Sequence, residues 1–300
     1  MRGIILMAYG TPRTLEDVDA YYTDIRGGRK PSPSELANLV GRYEAIGGTS
    51  PLIKITERQR DRLQARLRRD GSETRVFAAM KHSPPFIKDT LAQAAGDGID
   101  EILALVLAPH YSKMSTGTYM LALDLANAAL PTKVKLSYVW SWHTNPLLIQ
   151  AWARRVRKAR AGLREGHSLI FSAHSLPEKI LAQGDPYRSQ LLETSELIAA
   201  DAGYKDWSFS FQSASHTGEP WMGPDILDHL QTQLQSGQRE FLIAPIGFVS
   251  DHLEILYDID VECRQWAKDR GANLVRCDSL NDSDDLIESL YSIAVERGFT

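Results

Sequence analysis

The 300-residue sequence predicts an α/β fold of parallel sheets flanked by helices, repeated in two halves, and three observations lead to it. Short apolar runs rich in β-branched residues alternate with longer stretches of helical period, the pattern of βα units on a parallel sheet. Four such runs fall in each half of the chain. The length is about twice the ~150 residues of an ordinary domain, so there is room for two.

In chain order, the run 3–8 is the first strand and stops at the turn Tyr9-Gly10-Thr11-Pro12, with a helix expected over 15–26. A helix over 52–69 opens at Ser50-Pro51, an N-cap followed by proline at the first helical position. The strand 74–79 ends before Lys81-His82 and leads into a helix over 85–95. The strand 101–107 ends at Pro109-His110-Tyr111, and a helix over 118–129 and a strand over 133–140 complete the first half. The division is placed near residue 141, before Ser141-Trp142-His143. The second half runs through a helix over 146–161, a strand over 168–173 ending at His174-Ser175-Leu176-Pro177, and a helix over 187–202. A strand over 207–211 precedes Gln212-Ser213, and Gly223-Pro224-Asp225 opens a helix over 224–235 in the manner of Ser50-Pro51. A strand over 240–244 ends before Pro245-Ile246-Gly247-Phe248, and a helix over 253–269 and a strand over 273–276 follow. The last helix, 282–297, can pack on either half.

Composition excludes several classes. With 43% hydrophobic and 24% charged residues, and 21 Gly and 14 Pro dispersed along the chain, neither disorder nor a collagen-like repeat is expected. The longest apolar run is seven residues, Ile102 to Ala108, against the ~20 of a membrane-spanning helix. The apolar stretch 4–8 is too short for a signal-peptide core, so the expected location is the cytoplasm. Cys263 and Cys277 are expected as free buried thiols, and two cysteines cannot supply a four-thiolate iron–sulfur or zinc site. The net charge of −4 hides an asymmetry: residues 1–150 carry 19 basic against 15 acidic groups, and residues 151–300 carry 15 against 23. The first half therefore favours anions and the second cations. Arg58, Arg60, Arg62, Arg66, Arg68 and Arg69 are interspersed with Glu57, Asp61 and Asp70, so they are expected to form a solvated helix face and not a nucleic-acid patch.

Ligands of open parallel sheets bind at the carboxyl ends of the strands, so the junctions quoted above are where chemistry is sought. There is no Gly-x-Gly-x-x-Gly after the first strand and no phosphate loop, which leaves a nucleotide cofactor without a fingerprint. His174, at the end of a buried-looking strand, can ligate a metal, accept a proton near neutral pH or simply cap the strand end by hydrogen bonding. Ser172 and Ser175 flank it outside any nucleophile-elbow pattern. Glu254, Asp258 and Glu262, four apart, form one carboxylate stripe if the stretch is helical. The first basic residue after Asp251 is Arg264, so either a cation offsets the repulsion or the stripe is an acidic solvated face; oxygen ligands suit Mg, Ca, Mn or hydrated Fe(II). Asp260 is expected to point elsewhere, into solvent. Tyr21, Tyr22, Arg26, Arg29 and Lys30, with Arg42, Tyr43 and Gly47-Gly48-Thr49-Ser50, suit a planar anion or a solvent-facing turn with snorkelling arginines.

Five segments together resemble the ferrochelatase family, most closely its Gram-positive-type coproporphyrin III branch. They are Met7 to Pro12, Arg42 to Leu52, Leu107 to Ser112, Ser172 to Pro177 and Gly247 to Glu254, and the likeness runs in order from residue 3 to the C-terminus. The resemblance implies two Rossmann-like, chelatase-type domains with a porphyrin cleft between them. Residues 1–140 with the C-terminal helix, 280–300, would form the first domain and 141–279 the second. It makes His174 and Glu254 the central catalytic and metal-facing pair, and Tyr9 the residue across the ring, axial to iron in the product. Arg26, Arg42, Tyr43, Ser50 and Tyr119 match positions that hold the porphyrin and its propionates. Asp258 and Glu262 match an outer metal site, where Mg2+ is the candidate ion. Gly28 departs from the family, standing where many relatives of this branch keep a second basic residue. The two cysteines do not match the four-cysteine cluster of some other ferrochelatases.

The implied reaction inserts Fe(II), a substrate, into coproporphyrin III for haem biosynthesis, with no prosthetic group, no membrane span and no nucleic acid, and with transient contact with other haem-pathway enzymes. The alternatives are a protoporphyrin IX ferrochelatase, a cobalt or nickel chelatase, and a non-catalytic haem or metal carrier. The stretch from Arg26 to Glu35 is made of Arg, Gly, Lys, Pro, Ser and Glu where membrane-meeting protoporphyrin enzymes carry a hydrophobic lip, and this favours the four-carboxylate substrate.

Overall fold

A computed structural model describes residues 1–215 and 218–300. The strands β1 (Arg2–Ala8), β2 (Arg75–Met80), β3 (Glu101–Val106) and β4 (Lys135–Val139) form one parallel sheet in the order β2-β1-β3-β4. The strands β5 (Ser168–His174), β6 (Ser208–Gln212), β7 (Glu240–Ala244) and β8 (Asn273–Arg276) form a second in the equivalent order, β6-β5-β7-β8. The duplication expected from four apolar runs per half is therefore present down to strand order. Helices α1 (Val18–Ile25), α2 (Pro33–Ala45), α3 (Leu52–Arg69), α4 (Ile87–Gly96) and α5 (Thr116–Ala129) accompany the first sheet. They are followed by α6 (Pro146–Ala159), α7 (Lys179–Ala182), α8 (Tyr187–Ala202), α9 (Ile226–Gln235), α10 (Arg264–Asp269) and α11 (Asp284–Glu296). No helix among the described residues is long and apolar enough to cross a membrane.

The central strands read as near-continuous apolar runs because helices cover both faces. One core joins Ile4 and Leu6 of β1, through Trp152 of α6, to Phe171 of β5, Leu242 of β7 and Leu290 of α11. On the other face of the first sheet, Ile5, Met7 and Ala104 pack on Leu91 of α4 and Leu123 of α5. Such continuous burial fixes where each strand ends, and hence where the junction residues stand. Both cysteines are free and buried, as expected.

Four expectations need correction. Residues 33–45, read only as part of a basic and aromatic group, are the helix α2: Ser32 caps it by accepting the Glu35 N–H at 3.3 Å, Glu35 accepts the Ser32 N–H at 2.7 Å, and Pro33 stands in the first turn. The stretch expected as one helix over 253–269 is π-helical across Ile255–Cys263 before it tightens into α10. The helix expected from 224 starts at Ile226, and the cap is Asp225, which accepts the Leu227 N–H at 2.9 Å. The arginine row of α3 is not merely solvated: Arg58 pairs with Asp282, Arg62 with Asp284, and Arg66 with Glu288 while lying over the Tyr291 ring, so the row fastens α11 to α3.

Candidate active site

The carboxyl ends of β1, β2, β3, β5 and β7 open on one pocket of about 280 Å3. Tyr9 follows β1, Lys81 follows β2, His110 lies just beyond β3, His174 ends β5, and Gly247, His252 and Glu254 come from the segment after β7. The position agrees with the general rule for parallel sheets. Close backbone packing brings the β5 and β7 ends together. The Gly247 N–H donates to the Ser172 carbonyl at 3.2 Å, and a Cβ at position 247 would overlap the Ala173 side chain and stand 2.9 Å from its Cα. We expect Gly247→Ala to destabilise the fold by about 1–3 kcal/mol, as overpacking does, and to lower turnover by moving His174. Denaturant unfolding and turnover read this together, and an unchanged midpoint with full turnover would refute it.

The centre of the site is an imidazole–carboxylate pair. His174 Nδ1 donates to the Ser175 carbonyl, which leaves Nε2 to face Glu254 Oε1 at 3.5 Å. A second imidazole, His252, places Nε2 3.4 Å from Glu254 Oε2, and its Nδ1 lies 3.0 Å from the Ser250 carbonyl. Burial alone would push His174 down, but the Glu254 charge and the Ser175 carbonyl overcome it and raise the imidazole to about 9. Burial pushes Glu254 up, yet His174 and His252 hold it well below the usual carboxylate range. At neutral pH the pair is an imidazolium and a carboxylate. The Tyr187 hydroxyl donates to the His174 carbonyl at 3.1 Å, and the Gln212 amide donates to the Glu254 carbonyl at 3.3 Å, so both backbones are anchored.

The rest of the lining carries phenols and one cation. Burial above all raises the phenol pKa of Tyr9, Tyr119 and Tyr187, with the Glu254 charge next for Tyr9 and Tyr187 and the Tyr9 phenol next for Tyr119, so all three stay neutral. Tyr9 lines the pocket and keeps 39% of its surface exposed. Lys81 donates from Nζ to Thr118 Oγ1 at 2.7 Å, lies 5.2 Å from the Tyr119 ring centre, and is pushed down by burial. Among the described residues it has no carboxylate partner in ion-pair contact.

Of the residues singled out from sequence, Tyr9, Tyr119, His174 and Glu254 share this pocket, whereas the others stand around it. Arg26 pairs with Glu35 at 2.6 Å, and Arg42 stands 3.6 Å from Asp258 Oδ1 and over the Tyr257 ring. Tyr43 is buried, with its hydroxyl 3.0 Å from Thr11 Oγ1, and burial raises it to about 12. Ser50 is buried and accepts the Leu52 N–H at 3.3 Å, but the cap position of α3 is Pro51 and not Ser50 as expected, because the first helical residue is Leu52 and not Pro51. Lys81 and His252 sit in segments the sequence reading quoted but did not select; the rule of strand carboxyl ends would have found Lys81.

The outer carboxylates are partly engaged by the protein itself, and the buried Asp258 Oδ1 is left without a hydrogen-bond partner among the described residues. Asp258 takes the Ser213 hydroxyl on Oδ2 and faces the Arg42 guanidinium on Oδ1, and burial pushes it up to about 6 against the pull of both. Glu262 is likewise raised by burial. Among the described residues no group of three His, Cys, Asp or Glu side chains is arranged to hold a metal ion. The positive charge that the sequence reading assigned to a cation is supplied by Arg42, more than two hundred residues earlier in the chain. Asp260 is corrected too: it pairs with Arg276 and Arg264 and is not solvated.

The chain matches the family model described as ferrochelatase over residues 1–297. The coproporphyrin III ferrochelatase of Anoxybacillus flavithermus is 46% identical across 98% of this chain and 96% of its own length. The ferrochelatase of Herpetosiphon aurantiacus is 42% identical across 97% of each. In fold, the chain is similar to SirB from Bacillus subtilis, solved with Fe3+, with a TM-score of 0.60 at 12% identity over 99% of this chain and 95% of that one. It is also similar to CbiX, the terminal enzyme of sirohaem biosynthesis in denitrifying bacteria, with a TM-score of 0.54 at 11% identity over the whole of both chains. At such identities the architecture alone is shared, a pair of chelatase-type parallel sheets. The sequence likeness is another matter, since it runs almost end to end at 42 to 46% identity, and on that ground this chain belongs to the ferrochelatase family.

Proposed function

We propose that this enzyme inserts ferrous iron into coproporphyrin III, giving Fe-coproporphyrin III for haem biosynthesis in the cytoplasm, in transient contact with other enzymes of that sequence of reactions. The observation that carries the reading is that the His174–Glu254 pair and the neutral phenol of Tyr9 line one pocket at the strand ends. The names of relatives at 43 to 46% identity support the choice of porphyrin. Insertion requires loss of two pyrrole protons, bending of the ring so that nitrogen lone pairs meet the ion, and removal of the ion's water. Glu254, held anionic, draws the cation to the ring centre, with Asp258 and Glu262 adding negative potential behind it. A cation brought to the pair disfavours the imidazolium, so His174 releases its proton to solvent, takes one from a pyrrole nitrogen, passes it to solvent and repeats this for the second. Tyr9 stands on the other face, where its oxygen can meet iron in the product. Iron is the substrate, and the reaction needs no prosthetic group.

Propionate binding follows from charge. Arg26 and Arg42 already hold Glu35 and Asp258, so a substrate carboxylate must compete for them, whereas Lys81 is free to pair inside the pocket. Tyr43 and Ser50 then shape the wall behind Arg42. Steady-state iron insertion with coproporphyrin III and protoporphyrin IX side by side tests this. We expect coproporphyrin III to be preferred at least about tenfold in kcat/KM, and Lys81→Met to narrow the gap through KM. Equal rates would move the assignment to protoporphyrin IX, and binding of the metallated product without any acceleration would make the protein a carrier.

A further inference from the structure

Glu254 has little local support in its own segment: it begins a π-helical turn, a wide i→i+5 register that forms only where the surroundings impose it. Its position therefore depends on what grips the chain on either side. Three residues before it, the Asp251 carboxylate accepts from Ser279 Oγ at 2.7 Å and Asn281 Nδ2 at 2.9 Å, and the Asp251 N–H donates to Asn281 Oδ1 at 2.8 Å. Six residues after it, both Asp260 oxygens accept from Arg276, with Nε at 3.0 and 3.1 Å and Nη2 at 2.7 Å. The same guanidinium reaches back through Nη1 to Asp251 Oδ1 at 3.2 Å. Arg276 ends β8, is only 10% exposed, and lines no part of the pocket.

We propose that Arg276 is a positioning residue for Glu254, a two-ended clamp that spans the segment 251–260 and holds it in the π register that aims the carboxylate at His174. A planar guanidinium can meet one carboxylate with two donors and a second with a third, which a lysine ammonium on a flexible stem cannot do in the same geometry. Without the clamp, Asp260 keeps only Arg264 from the following turn and Asp251 only the Ser279 and Asn281 donors, so no group ties the two ends together and the wide turn is free to tighten toward ordinary helix. The inference rests on the reading of Glu254 as acting at the ring centre, so its test needs one readout that does not depend on turnover.

In steady-state iron insertion, Arg276→Ala should lower kcat at least about tenfold and leave the KM for coproporphyrin III within about twofold, because the porphyrin-binding wall is untouched. Guanidinium at tens of millimolar should restore much of the loss, whereas methylammonium should not. In a crystal structure of the variant, Glu254 should have moved away from His174. If Arg276→Ala does not fold, Arg276→Lys carries the kinetic and crystallographic measurements with a smaller loss expected, the rescue arm applying to the alanine variant alone. Wild-type kcat in a folded variant, loss without guanidinium rescue, or a Glu254 that keeps its place beside His174 would each overturn the proposal. Should Glu254→Gln prove fully active while the variant structure shows Glu254 displaced, the clamp stands and the reading of Glu254 falls.

Discussion

His174→Ala should fold normally and lose metal insertion by roughly 100-fold or more, the range in which a positioned proton acceptor contributes. The side chain is 29% exposed and ends a strand whose core contacts lie further back, so truncation removes little packing. What it removes is an imidazole that burial opposes and a facing carboxylate nevertheless raises to about 9. A merely structural histidine capping a strand end predicts the reverse, a stability loss with turnover retained. Turnover at saturating iron and coproporphyrin III, alongside the unfolding midpoint, decides between them; near-wild-type kcat in a folded variant would take His174 out of the chemistry.

The parts of this structure that were legible in the sequence are those with a local physical cause. Strands buried on both faces must be apolar, so β1, β3, β5 and β7 show as uninterrupted runs ending in turn-forming residues, and the duplication of the fold follows from counting them. The helix α2 was equally legible, since Ser32-Pro33-Ser34-Glu35 spells a capping box with proline in the first turn. Its signal is masked by the basic residues on either side, Arg29, Lys30 and Arg42. The π register of Ile255–Cys263 was not legible, because it has no residue period of its own and is imposed by neighbours. The same holds for Arg42 against Asp258 and for Arg276 between Asp251 and Asp260: the carboxylate spacing showed that positive charge was needed, and nothing local showed which distant residue brings it. For His174 the residues alone left ligand, base and strand cap open, and the family resemblance narrowed the choice.

Glu254→Gln should also cut turnover by roughly 100-fold, and its pH behaviour should separate it from every other carboxylate of the stripe. Removing the charge leaves burial as the main influence on His174, so the imidazole must fall from about 9 and the acid limb of any residual activity must move to lower pH. Stability should follow the same pair. His174 is raised, so its share is complete below the ordinary imidazole value of 6.5 and is lost as pH climbs through about 9. Glu254 is lowered, so its share is complete above the ordinary value of 4.5 and is lost on acidification through its depressed value. The wild type should therefore exceed the variant most between pH 4.5 and 6.5, with the difference gone above pH 9. With the side chains 29% and 31% exposed, the difference should be no more than about 1 kcal/mol, the upper end for a solvent-screened pair. Asp258→Asn and Glu262→Gln should act differently, raising the KM for iron with kcat nearly unchanged, because they stand behind the ring-facing carboxylate. Iron titrations at saturating porphyrin and denaturant unfolding, both across a pH series, measure all of this. Superimposable profiles for the three variants, or an acid limb that stays in place in Glu254→Gln, would mean that the stripe is one acidic surface and that His174 titrates without reference to Glu254.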